Sequence, residues 1–175
     1  MQIQPSTQYQ VEYLARDLPD DFPVHVFYYV QPDDPITQLH RHNFLEIGLC
    51  HSGEGIFIVE DKVLPYSAGD VTIINEKELH LARSRKGTVS NWSYVNCDPV
   101  RLLGSMVPTD HEYLMTGPLG GPGFTNVFTH KEYPAIGEMV RQFIREIKDH
   151  PPGYRSVTRG LIWALLVKLH RTAGN

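Results

Sequence analysis

The chain of 175 residues is long enough for one domain with a full hydrophobic core and too short for two comfortable ones. Its formal net charge of −4 does not favour a broad nucleic-acid footprint, and its two cysteines are too few for a disulfide framework. No apolar run approaches membrane-spanning length and the N-terminus lacks the regions of a signal peptide, so we expect a cytoplasmic protein.

The first predicted elements are an arm and two strands. Residues 1–21 are polar with scattered tyrosine and leucine, and they predict an N-terminal arm. Residues 24–30 are β-branched and aromatic and predict a strand, which the prolines and aspartates of residues 31–35 end. Residues 45–50 predict a strand that is apolar on both faces, so we expect a barrel interior on one side and an outer layer on the other.

Short strands continue along the chain with turn signals between them. In chain order we predict a turn at 53–55, hairpin strands at 56–60 and 62–66, a turn at 67–70, a strand at 71–74, an exposed basic loop at 83–88 and a strand at 91–97. This spacing is typical of an antiparallel sandwich or barrel, which we place at residues 22–103. Residues 104–128 are rich in glycine and proline and predict a connector to a helical tail.

Two helices are predicted within residues 129–175. The first follows a capping-box spacing at 129–132, has Pro134 in its first turn and carries an apolar stripe typical of a helix buried on one face. The second, at about residues 155–171, is apolar almost all round. We expect it to meet its own copy in a homodimer, and the alternative is full burial between the barrel and the first helix.

A candidate metal site lies between the predicted strands. His40, His42 and Glu46 have the spacing H-x-H-x3-E-x6-G, and His80 ends a second motif. Three imidazoles and one carboxylate suit a divalent transition metal such as Zn, Ni, Fe or Mn and leave coordination positions free. Four extended residues span about 13 Å, so the chain must bend near Asn43 for its neighbours to share one ion. The alternative is a polar pocket without metal.

The strand at 91–97 carries a candidate ligand-binding face. Trp92, Tyr94 and Asn96 share one face because side chains alternate along a strand. Such a face suits a small polar ligand such as a sugar, which stacks on a ring and hydrogen-bonds the amide. The alternative is that Trp92 and Tyr94 are core aromatics.

The two ligand motifs resemble the signature motifs of the cupin superfamily. The order of elements in the whole chain resembles the N-terminal sensor domain of AraC/XylS-family transcription regulators, and residues 40–47, 52–55 and 66–71 carry this resemblance most specifically. It implies a mainly β fold, a cupin-type double-stranded β-helix (jelly-roll barrel) followed by two C-terminal α-helices. It also implies a small effector, often a sugar, inside the barrel, an arm that closes over it, and dimerisation through the terminal helices.

The resemblance also implies site residues and partners. Carried onto matching positions, it gives an effector pocket lined by His80, Trp92 and Tyr94, with Phe44 and Tyr28 from the neighbouring strands. Because the sequence keeps all four motif ligands, we expect a metal ion to assist this pocket. Regulators of this family bind promoters through a C-terminal domain that is missing here, so we expect an excised sensor domain that reaches DNA only through that domain. The alternative is a protein that does not bind DNA directly.

Three functions are compatible with the sequence. We favour an effector-binding and dimerisation module, because the motifs hold no second carboxylate or lysine placed as an obvious proton carrier. A stand-alone metal-dependent cupin enzyme, such as a sugar isomerase or dioxygenase, is the alternative, with Tyr94 or Glu76 for acid/base work. The third is a dimeric scaffold with a vestigial pocket, which no ligand would stabilise.

Overall fold

The structure is a computed structural model that describes residues 10–106 and 111–173. Within them the chain forms ten strands, three α-helices and a short 3-10 helix. The strands are β1 (Gln10–Leu14), β2 (Val24–Gln31), β3 (Gln38–His42), β4 (Leu45–Ser52), β5 (Glu54–Val59), β6 (Lys62–Ser67), β7 (Val71–Ile74), β8 (His80–Ser84), β9 (Ser90–Cys97) and β10 (Val127–Phe128). The helices are α1 (Pro99–Leu103), the 3-10 helix (His111–Leu114), α2 (Pro134–Asp149) and α3 (Tyr154–Ala173).

The strands form two five-stranded sheets. Sheet A has the order β1-β3-β8-β5-β6, and sheet B has the order β10-β7-β4-β9-β2. In both sheets the described strands pair in antiparallel fashion, apart from the parallel pair of β1 and β3. The architecture confirms the predicted mainly β class with helices at the C-terminal end, and it confirms the six predicted strands.

Sheet B carries buried side chains on both of its faces. Successive side chains of a strand point to opposite faces of the sheet. Leu45, Ile47 and Leu49 of β4 belong to a buried cluster that they share with the helices. Glu46 and Cys50 of the same strand face the space between the sheets, where they are also buried. The strand predicted to be covered on both sides is therefore covered by helices outside and by sheet A inside.

The C-terminal helices pack on the outer face of sheet B. Helix α2 contacts β2, β4 and β7, and α3 packs against α2. Apolar side chains spaced three or four residues apart form the contact, as expected for helices buried on one face. The buried ones are Ile136, Val140, Phe143, Ile144, Ile162, Leu165, Leu166 and Leu169.

Helix α3 keeps an apolar strip open to solvent. Val157 is 40% exposed, Ala164 is exposed and Leu161 is half-buried. The alternative of full burial between the barrel and α2 is therefore wrong for this chain. None of the helices in residues 10–106 and 111–173 is both long enough and apolar enough to cross a membrane.

The predicted arm contains a strand that we did not predict from the sequence. Strand β1 joins the edge of sheet A, with Gln10 beside Gln38 and Leu14 beside His42. Val11 and Tyr13 alternate with Gln10 and Glu12, but the pattern is short, and all five residues of the strand are exposed. Residues 1–9 of the arm, 107–110 of the connector and 174–175 of the tail lie outside the described residues.

Other boundaries differ from the predictions. The basic loop starts at Arg85 and not at residue 83, because β8 extends to Ser84. The turn predicted at 53–55 is shorter, since Glu54 already begins β5. Asp98 follows β9 directly, and its carboxylate accepts a hydrogen bond from the Arg101 N–H and caps α1, a helix that was not predicted.

The predicted capping box does not cap α2. Thr129 Oγ1 accepts from the Glu132 N–H (3.3 Å) and donates to Glu132 Oε2 (3.1 Å). This reciprocal pair closes a turn that precedes the helix. The N-cap residue itself is Tyr133, which makes no side-chain cap hydrogen bond, and Pro134 opens the helix as predicted.

Candidate functional site

A cavity of about 550 Å³ lies between the two sheets. Its wall combines aromatic rings with charged and polar side chains from both sheets and from the segment that follows β1. The lining residues include Glu12, Arg16, Phe27, Tyr29, Gln38, His40, His42, Phe44, Glu46, Phe57, His80, Tyr94 and Asn96.

The floor of the cavity is the inner face of sheet B. Glu46 of β4 lies beside Asn96 of β9 in the strand register, and Tyr94 lies between Gly48 and Phe27 in the next row. Gly48 makes this packing possible, because a Cβ atom there would lie 2.8 Å from Tyr94 Cε1. The missing side chain therefore lets the Tyr94 ring lie against the sheet.

Three strands and one bend bring the histidines and the glutamate together. His40 and His80 are paired across β3 and β8, and their rings are 4.2 Å apart between centroids. Strand β3 ends at His42, and the chain bends at Asn43 and Phe44 before β4 begins. The bend that the sequence required is thus confirmed.

Distances in the cluster suit shared coordination of one ion. Glu46 Oε2 lies 3.7 Å from His42 Nε2, and Glu46 Oε1 lies 3.6 Å from His80 Nε2. Ligand atoms around a tetrahedral Zn²⁺ are about 3.4 Å apart, given bonds of about 2.1 Å. One ligand atom each of His42, Glu46 and His80 lies within 4.8 Å of the others. His40 does not belong to this group, although its ring contacts that of His80.

His40, His42 and Glu46 have the protonation states that metal binding needs. Burial is the largest effect on His40 and His42 and lowers the pKa of each to about 4, so both imidazoles are neutral at pH 7. Burial also tends to raise the pKa of the Glu46 carboxyl, but the facing His80 and His42 lower it overall. Glu46 is therefore an ionised carboxylate beside the neutral ring of His42.

Hydrogen bonding fixes the tautomer of His80. Its Nδ1 lies 2.9 Å from the Glu78 carbonyl oxygen, which can only accept, so Nδ1 carries the proton. In the neutral ring the lone pair is then on Nε2, which faces Glu46. This Nε2 and both ring nitrogens of His42 are buried without a hydrogen-bond partner among the described residues. A carbonyl oxygen that accepts from the other ring nitrogen is typical of metal-binding histidines.

The structure places some predicted effector-binding residues at the cavity and excludes others from its wall. His80, Tyr94 and Phe44 line the cavity. Tyr28 does not, because it points to the outer face of sheet B, where it is 60% exposed and stacks on His51. Trp92 is fully buried beyond the cavity, stacked on Tyr94 with a centroid distance of 5.4 Å.

Sequence reasoning missed Phe57 of β5, two aromatic lining residues of β2 and the contribution of the arm. Phe27 and Tyr29 line the cavity from β2, one residue to either side of the predicted Tyr28. The regular alternation of β2 was the signal that could have found them, once one inward residue was known. Arg16 lines the cavity from the segment after β1, and only the predicted closing role of the arm pointed there.

The segment after β1 forms one rim of the cavity. Gln38 Nε2 donates to the Glu12 carboxylate across the β1–β3 pair. Asn43 holds the main chain of Arg16 at both ends: its Oδ1 accepts from the Arg16 N–H (3.0 Å), and its Nδ2 donates to the Arg16 carbonyl (3.4 Å). The bend between the two candidate metal ligands therefore also anchors the rim.

Comparisons with known proteins agree with this architecture. The sequence matches the family described as the AraC-like ligand binding domain over residues 22–166. ToxT from Vibrio cholerae, whose structure was solved with an unsaturated fatty acid bound, is 11% identical with a TM-score of 0.53, over 87% of this chain and 56% of that chain. The AraC-like transcriptional activator CuxR is 15% identical with a TM-score of 0.47, over 83% of this chain and 49% of that one.

Cupin proteins are also similar to parts of the chain. A cupin protein from Bacteroides fragilis is 17% identical with a TM-score of 0.39, over 42% of this chain and 64% of that one. The chain therefore spans about half to two thirds of the length of these three proteins. No curated protein sequence matches it.

Proposed function

The chain belongs to the family of AraC-like ligand-binding domains, and from this membership we propose that it is the effector-binding domain of a transcription regulator and not an enzyme. Effector binding would shift the population of two states of the regulator by the difference between their affinities for the effector. The effector would bind in the cavity, and a separate domain would contact DNA.

The cavity between the sheets is the observation that carries the proposal. Its volume of about 550 Å³ is in the ordinary range for small-molecule sites. Asn96 is 2% exposed and lines this cavity, yet its Oδ1 has no hydrogen-bond partner among the described residues, like the ring nitrogens of His42. Unpartnered buried polar atoms are costly and rare in native proteins. A bound molecule that supplies the missing bonds explains why they are kept.

We propose that the effector is a small polar molecule such as a sugar. The rings of Tyr94 and Phe44 offer apolar surface, and Asn96 and Glu46 offer acceptors for hydroxyl groups. ToxT has a fatty acid bound, so a different class of molecule occurs in at least that protein. The choice for this chain rests on the polar groups of its own cavity.

We also propose that a divalent transition metal, Zn, Ni, Fe or Mn, binds His42, Glu46 and His80, with His40 as a fourth candidate ligand. Three features suit a metal ion: the three unpartnered imidazole nitrogens, the ionised Glu46 carboxylate, and the hydrogen bond from His80 Nδ1 to the Glu78 carbonyl. A bound ion would supply a Lewis-acidic position for an effector oxygen. The side chains of Asn96 and Tyr94 would hold that oxygen in position.

The proposed output of effector binding is a change at the arm and at a dimer interface. The rim formed by the segment after β1 borders the cavity, so an occupant would contact it directly. We propose that α3 pairs with its own copy through the open strip around Val157, Leu161 and Ala164. A DNA-binding domain outside the described residues would read this change.

One observation favours the alternative of a metal-dependent cupin enzyme. The group of His42, Glu46 and His80 opens directly onto the cavity, so a substrate would reach a bound ion. Turnover separates the two functions. A regulator domain loaded with zinc, nickel, iron or manganese binds its effector and releases it unchanged, whereas an isomerase or dioxygenase converts it.

A thermal-stability screen with two matched variants tests the proposed function. Neutral sugars are added to metal-loaded and metal-free protein, and stabilising compounds are then tested on Tyr94→Leu and on Tyr28→Leu. Both tyrosines lie on sheet B, but only Tyr94 lines the cavity. We expect the ligand-induced rise in Tm to be lost in Tyr94→Leu and kept in Tyr28→Leu. Equal behaviour of the two variants, or no stabilising compound at all, would contradict the proposal.

A further inference from the structure

Arg16 is a cation at the mouth of a cavity whose carboxylates already have partners. Arg16 lines the cavity and is exposed to solvent. Glu46 faces two histidines and Glu12 accepts from Gln38. Arg16 takes part in no ion pair within the described residues. Its positive charge is therefore available to a molecule in the cavity.

The main chain of Arg16 is held so that this side chain stays at the cavity. The two hydrogen bonds from Asn43 fix the Arg16 N–H and carbonyl. The guanidinium carbon lies 5.7 Å from the centroid of the Phe27 ring, which is within cation–π range on the cavity side of β2. Nearby His25 feels the charge as well, because burial and then Arg16 lower the pKa of His25.

The other polar feature of the cavity lies deeper and has the opposite preference. Asn96 Oδ1 is an acceptor without a partner among the described residues, and the strand register puts Asn96 beside Glu46. The free oxygen of Asn96 calls for a donor such as a hydroxyl. The row of Asn96 and Glu46 lies two residues along the strands from the row of Tyr94 and Phe27, a distance of about 7 Å.

From this polarity we infer that the cavity takes a hydroxylated carboxylate, with its hydroxyl end at Asn96 and Glu46 and its carboxylate at Arg16. The inference rests on the proposed effector-binding function and narrows it to one class of ligand. An arginine can bind a carboxylate with two parallel hydrogen bonds, which a neutral alcohol does not offer. The ring faces of Phe27 and Tyr94 lie between the two polar ends and suit the body of a sugar acid or a phenolic acid.

Matched pairs of acids and neutral analogues test the inference. Calorimetry measures the binding of D-glucuronate against D-glucose and of 4-hydroxybenzoate against 4-hydroxybenzyl alcohol, with metal-loaded protein. We expect at least one acid to bind 10-fold or more tightly than its neutral partner, since a charge-assisted hydrogen bond contributes about that factor or more. Arg16→Gln should remove the preference, and Asn43→Ala should reduce it about 2- to 10-fold by releasing the Arg16 main chain.

Arg85→Gln is the matched control. It removes the same charge from an exposed turn, where Arg85 pairs with Glu54 outside the cavity, and it should keep the preference for the acid. Equal binding of acids and neutral partners, or a preference that survives in Arg16→Gln, would overturn the inference and leave the proposed effector function standing. If neither acid binds, the inference is also wrong, and binding of the neutral partners then decides separately whether the effector function holds.

Discussion

Replacing His42 by leucine should stabilise the metal-free protein and remove its response to metal. His42 is 1% exposed, and neither of its ring nitrogens has a hydrogen-bond partner among the described residues. A neutral imidazole in this position buries two ring nitrogens without a hydrogen bond to the described residues. Leucine fills part of the same volume without any unpartnered atom.

The expected magnitudes follow from the contacts of this ring. An unpartnered buried polar group costs about 1–3 kcal/mol, which His42→Leu recovers. Against this, the ring stacks on Phe44 with a centroid distance of 4.1 Å, a contact worth about 0.5–1.5 kcal/mol. We expect a net gain of about 1 kcal/mol without metal. Zinc at 100 times its Kd should stabilise the wild type by about 2.7 kcal/mol, or about 5–11 °C in Tm, and should not stabilise the variant.

Urea denaturation at pH 7.5, in EDTA and in zinc, measures both effects. His51→Leu is the control, because its Nε2 lies 2.6 Å from Ser93 Oγ and its ring is outside the cavity. That variant should lose about 0.5–1.5 kcal/mol and keep the zinc response. If His42→Leu loses stability in EDTA, the ring has a structural role that the geometry does not indicate. If zinc stabilises it as much as the wild type, His42 is not a ligand.

Three further predictions concern pH, packing and thiols. Burial lowers the pKa of His42 from 6.5 to about 4, so the unfolded state takes up the proton first and stability should fall as the pH drops from about 6.5 to 4. Urea midpoints across this range should fall less steeply for His42→Leu than for the wild type, and identical slopes would show that His42 does not cause the pH dependence. Gly48→Ala should lower the free energy of unfolding by about 1–3 kcal/mol, because the new Cβ lies 2.8 Å from the ring of Tyr94. Gly160→Ala, with no atom within 4 Å of the new Cβ, should raise it by about 0.5–1 kcal/mol, because alanine favours the helix of α3. Equal denaturation midpoints of the two variants would refute this. Burial raises the pKa of Cys50 and Cys97 to about 12, so a thiol reagent at pH 8 should label neither in the native protein and both in urea, and rapid native labelling would contradict the structure.

The predictable part of the fold came from alternation and from geometric necessity. The strand at 45–50 showed apolar residues on both faces, and this pattern has few solutions other than a sheet covered on both sides. The bend at Asn43 was required because an extended strand keeps His42 and Glu46 too far apart to share an ion. The first prediction used the alternation of side chains along a strand and the second used the length of an extended strand. The backbone fixes both quantities, and both predictions are confirmed.

The remaining errors concern features that local sequence does not encode. Phe27, Tyr28 and Tyr29 are all aromatic, so the run contains no polar residue to show which face is buried. Alternation correctly put Trp92 on the same face as Tyr94, but it says nothing about depth along the barrel, and Trp92 lies beyond the end of the cavity. Strand β1 pairs with a strand 28 residues away in the register, and the short alternation of Val11 and Tyr13 with Gln10 and Glu12 does not reveal that partner.

The distribution of buried residues explains how the fold tolerates an unsatisfied site. The larger apolar cluster lies between sheet B and the helices, where Val140, Phe143 and Leu169 are almost completely buried. The smaller cluster lies between the sheets, beside the cavity. Apolar burial contributes about 25 cal/mol per Å², so most of the stability arises on the side of sheet B that faces away from the cavity. This separation allows the inner face to keep the unpartnered nitrogens of His42 and His80, which a single small core could not offset.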